Sequence, residues 1–374
     1  MNTKNEHKTN SFRNALLPVI RGFLSRLFTI LSYSVFSPRS HRPNQTVNQP
    51  KTESGNSGSS KWYLPNRAFV RRLGYEITMR ILALPIVILL FVAAIVYMGT
   101  RPTAAEISLY PDSLGLLYKN INFTSEDGTS LLGWFIPSLK ADDILAEGDK
   151  ALTRKRPGVV LCHDFGANRD QLLALASSLN REGIEVLLFD FRGSGLSEGK
   201  PRSFGLYEQE DVTAAVHYLA EQPTVDSGKI SVIGQGLGGI AAIGAASRDH
   251  GIRSLVVGDV DSNFEAAVSR KLRQSGALGE ACSSAFVWGC KTYLRANDTQ
   301  MSTVHKATLL SENQSLMLVY HKNNDKLTQS AQIIKKNTDA RTETLVVESL
   351  KPCLLTEYDT VIPRIIEFLQ KSWE

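Results

Sequence analysis

The most constraining segment of this chain is short. Residues 230–233, Ile-Ser-Val-Ile, read as a buried strand and run directly into Gly234-Gln235-Gly236-Leu237-Gly238-Gly239, after which an apolar, alanine-rich helix begins. Four glycines in six residues strip away the side chains that would hold a helix off its preceding strand. A strand, a tight turn and a helix packed back on the strand make half of a parallel crossover unit, so the surroundings should be a sheet covered by helices.

The rest of the chain from about residue 115 fits that expectation. Leu117–Thr124 and Leu131–Ile136, separated by Glu126-Asp127-Gly128, read as a hairpin with an Asp-Gly turn. Strands then alternate with helices: Gly158–Cys162, helix Arg169–Arg181, Gly183–Phe189, helix Leu206–Glu221, Lys229–Ile233, helix Leu237–Ser247 and Arg253–Val257. Ser315–Tyr320 and Thr344–Val347 complete the strands, with helices near Thr328–Lys336 and Thr360–Lys371. This alternation predicts an α/β domain over 115–374, a mostly parallel sheet with helices on both faces and an antiparallel edge from the hairpin. The less regular stretch 263–310 has the place of an inserted cap.

Three motifs in order then carry a resemblance. His163-Asp164-Phe165-Gly166-Ala167-Asn168 resembles the H-G-x-G-x-N oxyanion loop of α/β hydrolases. Asp190-Phe191-Arg192-Gly193-Ser194-Gly195-Leu196-Ser197 resembles their D-x-R-G-x-G-x-S loop, and the glycine turn resembles the G-x-S-x-G nucleophile elbow. The branch it is most similar to is that of the serine aminopeptidases and dipeptidyl peptidases, over residues 115–374.

The resemblance implies a triad of serine, histidine and acid. Gly236 stands at the serine position, and a glycine has no side chain with which to attack a carbonyl. Asp325, in His321-Lys322-Asn323-Asn324-Asp325, fits the acid position. The histidine belongs near 349–355, yet no histidine follows His321 in the sequence. Asp164 replaces a glycine beside the oxyanion site, where a carboxylate opposes the negative charge to be stabilised. Backbone N–H groups of Phe165 and Leu237 hold the oxyanion positions. His163 reads as structural, Cys353 as a core or loop cysteine near the absent histidine, and Asp325 without a partner as a turn residue.

The same glycines also spell G-x-G-x-x-G through Gly234, Gly236 and Gly239, with Asp259 some twenty-five residues on. That is the pattern of a dinucleotide-binding turn. It normally opens its domain, whereas two strand–helix units precede it here, so nucleotide or anion binding ranks below the hydrolase-like reading.

Upstream, composition changes sharply. Residues 1–80 hold 13 Lys/Arg against 3 Asp/Glu, a net of +10, which leaves −5 for the remainder of a chain whose total is +5. The basic character therefore belongs to the N-terminal part and gives no reason to expect a nucleic-acid partner. Ile81–Met98 is an unbroken apolar run of 18 residues between Arg80 and Arg101. As a helix it spans roughly 27 Å, close to one hydrocarbon core. Lys61, Arg67, Arg71, Arg72 and Arg80 precede it and only Arg101 and Lys119 follow closely, which predicts a cytoplasmic N-terminus and an extracytoplasmic domain. Within Arg13–Ser32, leucines, isoleucines, valine and phenylalanines from Leu16 to Leu31 share one helical face opposite Arg21 and Arg26, the pattern of an interfacial helix, although an organelle transit peptide has the same composition. Residues 37–60 carry Val47 as their sole apolar side chain, too little to bury a core.

The domain expectations follow: a basic segment with an amphipathic helix over 1–36, a linker over 37–66, a basic juxtamembrane stretch over 67–80, a transmembrane helix over 81–100, a linker over 101–114, and the α/β domain over 115–374. Cys162, Cys282, Cys290 and Cys353 show no metal-binding or redox spacing, and the sequence calls for no metal and no cofactor. The functional expectation is a single-pass membrane protein whose hydrolase-like domain binds a protein or small molecule, or acts as a scaffold, without catalysis. The alternative is an esterase or peptidase with an unconventional active site.

Overall fold

The computed structural model describes residues 67–374 apart from 102–104, 140–144, 147, 200–201, 274–275, 350 and 352, together with Gly22 and Ser25. The amphipathic stretch 13–32 and the linker 37–66 therefore lie outside the described residues, those two positions excepted.

Helix α1, Arg67–Thr100, is 34 residues long. The basic stretch 67–80, expected to precede the membrane segment, is thus part of the same helix, since nothing in Arg-Ala-Phe-Val-Arg-Arg-Leu breaks helical propagation. Its Arg71–Thr100 portion is long and apolar enough to cross a membrane, the one such helix among the described residues. Residues 67–94 belong to one compact unit and 95–374 to another. Within the second unit Ile95, Val96 and Thr100 are buried, and the Thr100 carbonyl accepts the Arg202 N–H at 2.9 Å.

The sheet has eight strands in the order β1-β2-β4-β3-β5-β6-β7-β8. Strands β1 (Lys119–Thr124) and β2 (Ser130–Ile136) form the antiparallel hairpin, and β2 pairs antiparallel with β4 (Glu185–Phe189). From there β3 (Arg156–Cys162), β5 (Val225–Gln235), β6 (Ile252–Gly258), β7 (Ser315–His321) and β8 (Arg341–Val347) run parallel. The alternation of side chains along each strand splits the core in two. On one face Val160, Leu187, Val232, Leu255 and Leu318 pack with α3 (Glu208–Ala220), α4 (Leu237–Ala246) and, later in the chain, α8 (Asp325–Lys336). On the other, Val159, Leu161, Leu188, Ile233 and Val256 pack with α2 (Leu173–Arg181) and the C-terminal α9 (Ile362–Ser372).

Between β6 and β7 the stretch expected as a cap folds as α5 (Phe264–Arg273), α6 (Ala277–Leu294) and α7 (Thr303–Ala307). Residues 105–114, expected as linker, are instead tied to the domain. Asn168 Nδ2 donates to the carbonyls of Ala105 and Glu106, Ser108 donates through both its N–H and hydroxyl to Asp170, and the Tyr110 ring lies 5.5 Å from that of Trp134. The chain enters β3, moves to β4 on one side, then returns to β5 on the other. The sheet therefore has its topological switch point at the carboxyl ends of β3 and β5, where open α/β sheets form their binding crevice.

Candidate functional site

Two loops meet at that switch point, one leaving β3 at His163 and one leaving β5 at Gly236. Gly236 has φ 54° and ψ −112° and forms the N-terminal boundary of α4, a conformation in which an L side chain is strained. A Cβ at Gly238 would fall 2.3 Å from the Cys162 carbonyl oxygen, so the helix approaches β3 as closely as its glycines allow.

The space above Gly236 is filled from the other loop. Asp164 Oδ1 accepts the Leu237 N–H at 2.8 Å, and a Cβ placed on Gly236 would lie 2.1 Å from that same oxygen. The carboxylate sits at the N-terminus of a helix, where free N–H groups and the macrodipole favour negative charge. Gln171 fixes the loop by accepting the Asp164 N–H at 2.7 Å, and Lys271 Nζ on α5 stands 3.9 Å from Asp164 Oδ2. Of the two expected oxyanion N–H groups, that of Leu237 is thus engaged by this chain's own carboxylate. Phe165 contributes its ring to the pocket wall, stacked on Phe204 at 5.2 Å.

The other motif residues hold the scaffold. His163 is buried; its Nε2 accepts the Phe191 N–H at 3.1 Å while Nδ1 meets the Asp164 carbonyl at 2.8 Å. With one nitrogen accepting and the other donating, the ring is neutral, and burial lowers its pKa. Asp190 accepts the N–H groups of Arg169 and Leu196 at 2.8 and 3.0 Å and pairs with the Arg169 guanidinium. Arg192 Nη2 and Nε reach Asp211 Oδ1 at 2.7 and 3.0 Å. Burial pushes Asp211 up to about 6 against the pull of that guanidinium.

Asp325 begins α8, is exposed, and has no side-chain hydrogen bond or ion pair among the described residues. Cys353, in the stretch where the resemblance implies a histidine, is buried; burial pushes its thiol up to about 12, and the Asp164 carboxylate adds to the shift. Such a thiol stays protonated at neutral pH.

An acid–histidine pair does exist, one strand further along. Asp259 follows β6 with φ 51°, and its carboxylate meets His321 Nδ1 at 2.9 and 3.1 Å. Gln235 Nε2 donates to Asp259 at 3.2 Å. His321 Nε2 faces the Lys351 carbonyl at 3.3 Å. The Asp259 hydrogen bond raises the His321 pKa above its ordinary value, with burial opposing. Sequence reasoning weighed Asp259 only as the acid that follows a dinucleotide-type glycine pattern; the signal for the pair was that each residue follows or ends a neighbouring parallel strand.

A cavity of about 50 Å³ opens over Gly236 and is roofed by α5 and α6. Phe165, Phe204, Phe264, Phe286, Val268 and Met301 give it apolar walls. Phe204 stands at their centre, 5.0 Å from Phe264 and 6.1 Å from Phe286, and holds a φ of 58°, unusual for a bulky residue. Asp261 and Arg270 pair with each other inside this wall at 2.7 and 3.0 Å. Neither Phe204 nor Lys271 stood out in the sequence, because the glycine turn reaches them only through the tertiary fold.

This sheet order, with a glycine turn after β5 and an adjoining loop after β3, is the fold of the α/β hydrolases. A family model described as serine aminopeptidase, S33, matches residues 153–258. The Pyrococcus furiosus esterase Pf2001 is similar over 73% of this chain and 100% of its own, with a TM-score of 0.57 and 20% identity. The α/β hydrolase GrgF from Penicillium is similar over 69% of this chain and 99% of its own, with a TM-score of 0.53 and 19% identity. Among curated proteins, the uncharacterized protein YfhR of Escherichia coli O157:H7 is 30% identical over 203 residues, which cover 51% of this chain and 66% of YfhR.

Proposed function

We propose that this chain is a membrane-anchored protein whose α/β-hydrolase-fold domain binds a ligand or partner without catalysis. The observation that carries the reading is the Asp164 carboxylate on the Leu237 N–H, in the space a side chain at position 236 would need. A hydrolytic site of this fold uses that N–H for a developing oxyanion and that space for a nucleophile. Here a fixed negative charge takes both. The absence of any histidine after His321 supports the same conclusion. It also weakens the dinucleotide alternative, since a phosphate at this helix terminus would have to displace a carboxylate.

Anchoring rests on the apolar stretch of α1 and its basic flank. The positive-inside bias supports an N-terminus in the cytoplasm and a large domain on the opposite side. The Asp259–His321 pair favours the second reading, an esterase or peptidase with unconventional residues, because it retains an imidazole oriented by a carboxylate.

The test is turnover of p-nitrophenyl esters and aminoacyl-p-nitroanilides by the full chain in nanodiscs, with an intact hydrolase of the same fold as positive control. No turnover above a heat-denatured blank is expected. Saturable turnover lost in His321→Gln would establish the second reading instead.

A further inference from the structure

Strand β1 stands at the end of the sheet order and pairs only with β2. Its register runs from Lys119↔Phe135 to Thr124↔Ser130 without a bulge, and Lys-Asn-Ile-Asn-Phe-Thr contains no proline. Just past the strand, the Ser125 N–H donates to the Thr129 carbonyl at 2.9 Å. Successive residues of a strand aim their backbone groups to opposite sides, so Thr124, Asn122 and Asn120 aim theirs away from β2. All three residues are exposed, and those groups meet no backbone partner among the described residues. Apart from Lys119 at its start, the edge lacks the charges, prolines and bulges that commonly blunt one.

A hollow of about 430 Å³ adjoins that edge, between β1 and α3. Phe123 and Tyr218 line it, their stacked rings 5.5 Å apart. The rim is acidic: Glu126 comes from the hairpin turn, Glu210 from the first turn of α3 and Glu221 from the C-terminal boundary of that helix. The neighbouring cations are committed. Arg192 holds Asp211 and Asp127 and stands 3.6 Å from Glu210, while His217 faces Asp249 at 3.2 Å. Glu126 and Glu221 have no ion pair among the described residues. Burial raises the Glu210 pKa, and the Asp127 and Glu126 carboxylates add to the rise against Arg192 and Arg248, as uncompensated negative charge requires. The α3 face from Glu210 to Glu221 runs roughly 16 Å at 1.5 Å per residue, about the length of five residues of extended chain.

We propose that β1 accepts an added strand: an extended segment of a partner protein pairs with its open edge and lays lysine or arginine side chains into the acidic hollow beside α3. Alternate side chains of such a strand point to one face, so every second residue meets the hollow. Main-chain bonds supply affinity and the hollow selects the side chains. Charge decides the occupant. A second copy would bring the same carboxylates to the edge, and an acidic segment would be repelled. The surface is separate from the turn at Gly236, because β2, β4 and β3 stand between β1 and β5, roughly 19 Å at 4.8 Å per strand. The inference therefore goes beyond the reading of that turn and holds whether or not the domain is catalytic.

The test uses the full chain in nanodiscs of neutral phospholipid and three fluorescein-labelled peptides: Thr-Lys-Thr-Lys-Thr-Lys-Thr, its counterpart with glutamates for lysines, and the lysine peptide with N-methylated backbone amides. Fluorescence anisotropy should rise saturably with the unmethylated lysine peptide alone. The exposed pair Glu126→Lys and Glu221→Lys together should weaken that binding at least about tenfold, with circular dichroism confirming the fold. Hydrogen exchange of the segment 119–124 should slow in the complex. Equal binding by the N-methylated peptide, or unchanged exchange in that segment, would overturn strand addition. Unchanged affinity in the double variant would overturn the role of the hollow, and no binding by the lysine peptide would overturn the proposal outright. A free chain that sediments as a dimer with segment 119–124 already protected would assign the edge to a second copy and overturn it as well.

Discussion

Replacing Gly236 by serine restores the residue type that the turn resembles, and the structure sets what this costs. The new Cβ would stand 2.1 Å from Asp164 Oδ1, so the flexible carboxylate must swing away. Asp164 then gives up the Leu237 N–H, now at 2.8 Å. A hydrogen bond to a charged group contributes about 1.5–3 kcal/mol. The backbone at φ 54° adds strain, about 1–3 kcal/mol for a non-glycine residue. Gly236→Ser alone should therefore destabilise the domain by the sum of both effects. In an Asp164→Gly background the hydrogen bond is already gone, and only the strain remains. The two substitutions should thus be non-additive by about 1.5–3 kcal/mol, the double variant being that much more stable than the sum of the single effects. At about 2–4 °C per kcal/mol for a domain of this size, the discrepancy is about 3–12 °C in Tm. Thermal unfolding of the four proteins in detergent, followed by tryptophan fluorescence, measures it. Additivity within about 0.5 kcal/mol would refute the placement of Asp164 over Gly236.

Arg192→Met should strand the buried Asp211 carboxylate and cost about 3–5 kcal/mol, read as a lower denaturant midpoint; a loss under about 1 kcal/mol would contradict the pairing. Gly195→Ala should be severe, because its Cβ would fall 2.0 Å from Asp190 Oδ2 at a φ of 47°. Strain and the displaced carboxylate together should exceed about 3 kcal/mol, and a near-neutral urea curve would refute that geometry. The Asp259–His321 pair predicts a pH trend of definite sign. The folded pKa of His321 is raised above 6.5, so its contribution is fully present below that value and is lost as pH rises through the raised pKa. The Tm difference between the wild type and His321→Gln should therefore be larger at about pH 6 than at about pH 8.5, and a difference that grows with pH would contradict the pair.

Much of the fold was legible because strand and helix periods differ and the glycine turn fixes one crossover. Val159 and Leu161 face one core while Val160 and Cys162 face the other, so β3 reads as a continuous apolar run and could be found without knowing its neighbours. Helix α1 proved longer than its apolar stretch because arginines and Glu76 propagate a helix as well as leucine does. The site was less legible. Gly236 stands at the turn where the motif put it, but the role of Asp164 depends on β3 and β5 being neighbours, which brings two loops 73 residues apart into one hydrogen bond. Asp259 and His321 meet for the same kind of reason, through the β6–β7 register that pairs Gly258 with Val319. Phe204 and Lys271 carry no local pattern at all; only packing brings them to the same cavity.

The central claim is that the position of the nucleophile is occupied by a carboxylate and does no chemistry. The most direct measurement is the intact mass of the full chain after exposure to an alkyl fluorophosphonate, beside an intact hydrolase of the same fold. The account predicts an unmodified mass while the control is labelled to completion. A stoichiometric phosphonyl adduct, mapped to any residue lining the cavity over Gly236, would contradict it.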